Sequence, residues 1–186
     1  MPPEGIPLQP KSELLTRQEI KHLASLFVQA GVEKIRLTGG EPLLRHDVVD
    51  IVSDMSQLLK QKQQQPNSNS SPSLPHVGMT TNAITLPRFL PDLVDAGLTH
   101  VNISLDTLNA DRFQQLTRRP GLSKVLRALE LASNMSSHLQ VKLNCVVMRD
   151  FNVDELVDFC NLTLEYPNLD VRFIEWMPFA DNGWNT

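Results

Sequence analysis

Apolar positions along the chain follow two alternating periods. Ile20, Leu23, Ala24, Phe27 and Val28 recur three and four apart, the spacing that gathers side chains on one helix face. Thr16-Arg17-Gln18-Glu19 stands just before them. This order predicts a capping box, in which the threonine hydroxyl and the glutamate carboxylate satisfy amides left free at a helix start. Gly31 fits the left-handed position that closes a helix. Lys34 to Leu37 reads as a strand ending at Thr38-Gly39-Gly40, and Asp47 to about Leu59 as the next helix. Further strands are predicted at His76 to Thr80, His100 to Leu105, Gln140 to Val147 and Val171 to Trp176. Helices are predicted at Arg88 to Ala96, closed by Gly97, and at Ala110 to Thr117 and Ser123 to Met135, parted by Pro120-Gly121. Asn152 is placed to cap one more helix, with Glu155 as its capping-box partner.

Strands separated by helices imply right-handed βαβ units and a parallel α/β sheet. An open doubly wound sheet and part of a β/α barrel both satisfy the pattern. Either fold puts ligand chemistry at the carboxyl ends of the strands.

Gln61 to Ser73 breaks the pattern. It is full of Gln, Asn, Ser and Pro, too polar to offset its chain entropy by burial, and reads as a disordered surface insertion. Otherwise the 186 residues, 41% hydrophobic and 20% charged, suit one soluble globular domain. A net charge of −4 argues against a chain that coats nucleic acid. A local basic pocket for one polyphosphate stays open. No apolar run is long enough to span a bilayer. Met1 to Pro10 has neither a hydrophobic signal core nor an Arg-rich transit pattern. Cys145 and Cys160 are too far apart for a cluster or zinc motif and read as reduced core thiols.

Polar residues gather where the strands end. Gly39-Gly40-Glu41-Pro42 offers a turn that a ligand can approach closely, with a carboxylate suited to an ammonium group. An ordinary strand-to-helix turn explains two glycines equally well. No Gly-Lys-Ser/Thr follows, so this is not a P-loop. Thr80, Thr81, Asn82 and Ser104 suit ligand binding or helix capping. Arg36 and Lys142 lie within strands of a sheet expected to be covered on both faces. A buried cation there needs an anionic ligand or an ion pair with Glu175, Asp106 or Glu41. Met177 follows an apolar strand, as core filler does.

Read together, Arg36-Leu37-Thr38-Gly39-Gly40-Glu41-Pro42-Leu43-Leu44-Arg45, Gly78-Met79-Thr80-Thr81-Asn82-Ala83, Val101-Asn102-Ile103-Ser104-Leu105-Asp106 and Arg172-Phe173-Ile174-Glu175-Trp176-Met177 resemble the GTP 3′,8-cyclases in order and spacing. The resemblance covers nearly the whole chain except Gln61 to Ser73, where the family is much shorter. It implies a partial parallel (β/α)6 barrel of the radical S-adenosylmethionine (SAM) type over residues 1–186. It also implies the family activity: SAM-dependent radical cyclisation of GTP, the first step of molybdenum cofactor synthesis. The cofactors implied are SAM and [4Fe-4S] clusters. The implied downstream partner is cyclic pyranopterin monophosphate synthase. By resemblance, Gly39, Gly40, Glu41, Ser104 and Met177 bind SAM, and Arg36, Thr80 and Lys142 bind GTP.

The family's Cys-x-x-x-Cys-x-x-Cys loop ends just before the position of Met1, so the first barrel strand and the cluster cysteines are expected to be missing. The second cluster domain is expected to be missing beyond Thr186. No residue of this chain therefore receives a catalytic or metal-binding role, and the chain alone is expected to be inactive. Two alternatives stand beside the truncated enzyme: a non-catalytic nucleotide- or partner-binding fragment, and a different radical SAM enzyme. Eukaryotic members of the family work in the mitochondrial matrix; other members would be cytoplasmic.

Overall fold

A computed structural model describes residues 9–64, 75–135 and 138–177. Among these the elements run α1 (Arg17–Gln29), β1 (Lys34–Leu37), α2 (Val48–Gln63), β2 (His76–Thr81), α3 (Leu86–Asp95), β3 (His100–Ser104), α4 (Ala110–Thr117), α5 (Leu122–Met135), β4 (Gln140–Val147), α6 (Leu156–Glu165) and β5 (Leu169–Glu175). The strands form one parallel sheet in the order β1-β2-β3-β4-β5. Consecutive order decides between the two folds the sequence left open. A doubly wound sheet reverses its strand order partway, whereas a barrel adds each strand beside the last. This is an α/β fold of the barrel type, not closed, as expected. Among the described residues no helix is long and apolar enough to cross a membrane.

The chain divides into two compact units, Met1–Thr81 with Thr85–Val101, and Asn82–Ile84 with Asn102–Thr186. In the first unit the capping box forms as expected. Thr16 Oγ1 accepts the Glu19 amide at 3.3 Å, and Glu19 Oε2 accepts the Thr16 amide at 2.8 Å. α1 packs on α2, and α2 packs on β2. Val77 and Met79 of β2 are fully buried, as are Ile51, Val52 and Met55 of α2. Arg17 and Lys21 of α1 donate to the buried Asp54 of α2 at 2.6 and 2.8 Å, pinning the helix pair. Arg17 first, then Lys21, hold the Asp54 carboxyl below its usual range.

Several boundaries differ from the sequence reading, among them β5, which runs Leu169–Glu175 instead of Val171 to Trp176. α2 runs to Gln63, with Gln64 as its C-cap, so the start of the Gln61 to Ser73 segment is helical. Gln and Lys are good helix formers and prolong a helix already nucleated. Residues 65–73 lie outside the described residues, as do Met1 to Leu8. α3 begins at Leu86 instead of Arg88, with Pro87 in its first turn. Proline is tolerated there because the amide it lacks would have no helical partner.

In the second unit α5 packs on β4 and α6 on β5. Phe159 of α6 meets Phe173 of β5 edge to face at 6.3 Å. Asn152 does not cap a helix with its side chain. It is fully buried, its Oδ1 accepts the Met148 amide, and its Nδ2 donates to the carbonyls of Asp106 and Val146. Glu155 is likewise not a capping-box partner. Its buried carboxylate accepts from the Thr107 hydroxyl at 2.7 Å, from the Leu108 amide and from Arg112 at 2.7 Å. A short 3-10 turn at Val153–Glu155 precedes α6 and turns both side chains inward, away from the helix start. Cys145 is buried as expected, but Cys160 is exposed. Cys160 falls on the solvent side of α6, opposite the buried Phe159.

Glu155→Ala removes every acceptor from this cluster and leaves the Thr107 hydroxyl and Leu108 amide unsatisfied. It should cost about 2–3 kcal/mol by denaturant unfolding. A change below ~0.5 kcal/mol would show that the cluster does not stabilise the unit.

Candidate functional site

The residues singled out from the sequence fall into two sets, one in each unit. In the first unit β1 and β2 pair in parallel, with Arg36 opposite Gly78. Alternation turns Ile35 and Leu37 one way and Arg36 the other, where it is exposed. The expectation of a sheet covered on both faces is corrected here: Arg36 is not a buried cation. Its side chain lies across Gly78, where an added Cβ would stand 3.4 Å from Arg36 Nε. The glycine leaves room for the guanidinium to extend over β2.

Past the end of β1, Gly39 and Gly40 adopt φ of +89° and +51°. L-residues with a side chain rarely hold such values. A Cβ at either would meet nothing within 4 Å. The glycines therefore serve backbone conformation, and the backbone there stays open to a ligand. Glu41 has a structural task. Its Oε1 accepts the Leu43 amide at 3.1 Å, capping a 3-10 turn at Pro42–Leu44, and the Thr81 hydroxyl at 2.7 Å. Thr81 is buried by that contact, and Thr80, of opposite parity in β2, is half-buried. Of the two roles open to these threonines, Thr81 takes the local bond.

In the second unit, the Leu105 amide donates to the Asn144 carbonyl at 3.0 Å. In a parallel ladder this sets Ser104 beside Asn144 and Asn102 beside Lys142. β4 and β5 pair with Lys142 opposite Asp170 and Asn144 opposite Arg172. Val141, Leu143 and Cys145 are buried, and the residues alternating with them, Lys142 and Asn144, are only half-buried. The helices here too cover one face of the strand. Lys142 stands third in β4, below the carboxyl end, 25% exposed and 3.3 Å from Asp170. Its partner is Asp170 in place of the expected Glu175, Asp106 or Glu41, because register puts the two residues opposite each other. Ser104 is exposed at the end of β3. Met177 is 52% exposed, so it is not core filler. Asn82 accepts the Ile84 amide at 3.0 Å, the local turn role weighed for it.

Asp106 follows β3. Its Oδ1 accepts the Val146 amide at 2.8 Å. Burial raises its pKa, and the Val146 hydrogen bond opposes that only in part. Burial, then the carboxylates of Asp106 and Glu155, push the Cys145 thiol up to about 12. Cys145 is thereby kept protonated and unreactive.

Among the described residues no three or more His, Cys, Asp or Glu side chains are grouped to hold a metal ion. Cys145 and Cys160 sit on β4 and α6 and do not form a cluster-binding set. The described residues therefore do not fit an iron–sulfur cluster. The open glycine turn does fit close contact with the polar end of SAM.

The model of the radical SAM superfamily matches residues 3–163. The chain belongs to that superfamily. Over its full length it is 50% identical to molybdenum cofactor biosynthesis protein 1 of Drosophila melanogaster, covering 30% of that protein. It is 51% identical to the Homo sapiens protein of the same name, covering 27% of it. It is 46% identical to the mitochondrial GTP 3′,8-cyclase of Arabidopsis thaliana, covering 44% of it. The chain thus spans less than half the length of these curated relatives.

Two outcomes follow from this geometry. Gly39→Ala should cost roughly 1 kcal/mol by denaturant unfolding from the left-handed φ alone, and a change below ~0.3 kcal/mol would show that the turn relaxes without strain. Asp106 holds its proton to higher pH when folded than when unfolded. The folded chain then binds more protons, and this carboxyl's contribution to stability declines as pH rises from the ordinary 3.8 through the raised value. Asp106→Asn keeps an acceptor for Val146 and removes the charge, so at pH 7 it should raise the melting temperature by roughly 2–4 °C. It should also flatten that part of the pH profile.

Proposed function

We propose that this chain is the central part of a longer GTP 3′,8-cyclase, which cyclises GTP with SAM in the first step of molybdenum cofactor synthesis. The observation that carries the reading is the open, left-handed Gly39-Gly40 backbone at the end of β1. The relatives support it. The plant protein is called a GTP 3′,8-cyclase, and so is a 40% identical protein of Listeria welshimeri.

When bound, SAM and a [4Fe-4S] cluster supply one-electron hydrogen-abstraction chemistry; the cluster's ligands come from outside the described residues. This chain's own residues bind and orient. Gly39 and Gly40 present backbone to the polar end of SAM, and Glu41 braces them by capping the turn beyond and holding Thr81. In the second unit Ser104 and Met177, both exposed, offer a hydroxyl and a soft thioether suited to SAM. Arg36, Thr80 and Lys142 take GTP. A guanidinium and an ammonium on the open side of their strands suit a triphosphate. Lys142 is already screened by Asp170, so phosphate would have to compete with a half-exposed carboxylate. The product would pass to a cyclic pyranopterin monophosphate synthase. The plant relative's name favours the mitochondrion as the compartment.

The test uses the full-length protein with its clusters, GTP, SAM and a reductant. The expected products are 5′-deoxyadenosine and the 3′,8-cyclised nucleotide. Lys142→Ala should weaken GTP by about tenfold or more and leave SAM affinity within roughly twofold. Equal GTP affinity in the Lys142 variant, with no cyclised nucleotide from the parent protein, would falsify the proposal.

A further inference from the structure

Glu41 is held from two directions. It precedes the 3-10 turn at Pro42–Leu44, whose Pro42 and Leu43 are buried. Its Oε1 accepts both the Leu43 amide at 3.1 Å and the Thr81 hydroxyl at 2.7 Å. The first bond is local. The second spans 40 positions and joins the loop after β1 to the last residue of β2, all within the first unit. Thr81 is 2% exposed, whereas Glu41 is half-buried. The hydroxyl therefore lies too deep to meet a ligand, but the carboxylate it holds is within reach of one.

Packing does not call for a hydroxyl at this position. Valine has nearly the same shape, suits a strand and would fill the same buried space. A hydroxyl taken out of water has to be matched, and here a carboxylate from another loop matches it. The bond has a conformational effect. A glutamate side chain turns about three bonds and samples many rotamers when nothing holds it. Two donors converging on Oε1 restrict the plane of the carboxylate, and with it the direction of Oε2. Gly39 and Gly40 stand just before Glu41 with φ of +89° and +51°, and glycine backbone on that side gives the carboxylate little restraint.

We infer that Thr81 is a positioning residue for SAM: its buried hydroxyl aims the Glu41 carboxylate at the ammonium group of the cofactor's methionine end, without touching the cofactor. This rests on the SAM reading of the glycine turn above and deepens it. A carboxylate already aimed loses little rotamer freedom when the ammonium arrives, whereas one released from Thr81 has to be ordered at that moment. The effect is confined to ligands that carry the amino-acid group.

The test is calorimetric titration of the full-length protein, with its clusters, against SAM, S-adenosylhomocysteine and 5′-methylthioadenosine, which lacks the amino-acid group. Thr81→Val removes the hydroxyl and keeps the shape; Thr81→Ser keeps the hydroxyl. Circular dichroism checks folding, and Thr81→Ala carries the test where the valine variant does not fold. The expected result for Thr81→Val is SAM and S-adenosylhomocysteine weakened about fivefold or more, with 5′-methylthioadenosine within roughly twofold of the parent. Thr81→Ser should recover the parent's SAM affinity to within roughly twofold. Unchanged SAM affinity in Thr81→Val overturns the inference. So does an equal loss for all three ligands, which marks a structural role, or a serine variant as weak as the valine one. Glu41→Gln serves as the internal reference. If it weakens SAM while Thr81→Val does not, the inference fails and the SAM reading stands. If both leave SAM unchanged, the reading of this turn has failed as well.

Discussion

A strand repeats every two residues, so packing helices on one face of β4 commits Lys142 and Asn144 to the other. The chain cannot bury Val141, Leu143 and Cys145 under α5 without presenting those polar partners on the far side. β1 works the same way, with Arg36 set against Ile35 and Leu37. Functional placement here is a by-product of core packing. A one-residue slip of β4 against β5 would turn the charged set into the helix layer and the apolar set out of it, at a cost no small domain survives.

That register needs fixing near the strand ends, and a buried polar cluster does it. Asn152 ties the chain after β4 back to the Asp106 and Val146 carbonyls, and Glu155 collects the Thr107 hydroxyl, the Leu108 amide and Arg112. All of these contacts except the Asn152–Val146 bond join the segment after β3 to the segment after β4. The loops at the carboxyl end of this unit are therefore held by satisfied hydrogen bonds and not by apolar packing alone. Asp106 is the weak member, half-buried with one amide to support its charge. Glu41 does comparable work in the first unit, clamping the glycine turn to β2 through Thr81.

Local rules were legible in the sequence; long-range partners were not. The span of β1, the span of β4 and the Thr16–Glu19 capping box depend on residues within a few positions of one another, and alternation and capping chemistry find them. Asn152 and Glu155 satisfied the same local rule, yet their bonds go to residues more than forty positions away, at Asp106 and at Thr107. Cys160 lies in an apolar stretch but falls on the wrong side of α6. An ion pair was one of the two roles open to Lys142, but its partner depends on the register of β4 against β5, which one strand's sequence does not state. The choice of barrel over doubly wound sheet was hidden for the same reason: strand order is a property of the whole set.

The two candidate sets differ in how much stability they forgo. Gly39 and Gly40 leave a stretch of backbone open, at the ordinary entropic cost of glycine. Asn102 and Asn144 carry a larger burden, since each keeps a desolvated acceptor without a partner. Leu or Val at either position would pack the same strand without that penalty. Folding alone therefore gives no reason for carboxamides there.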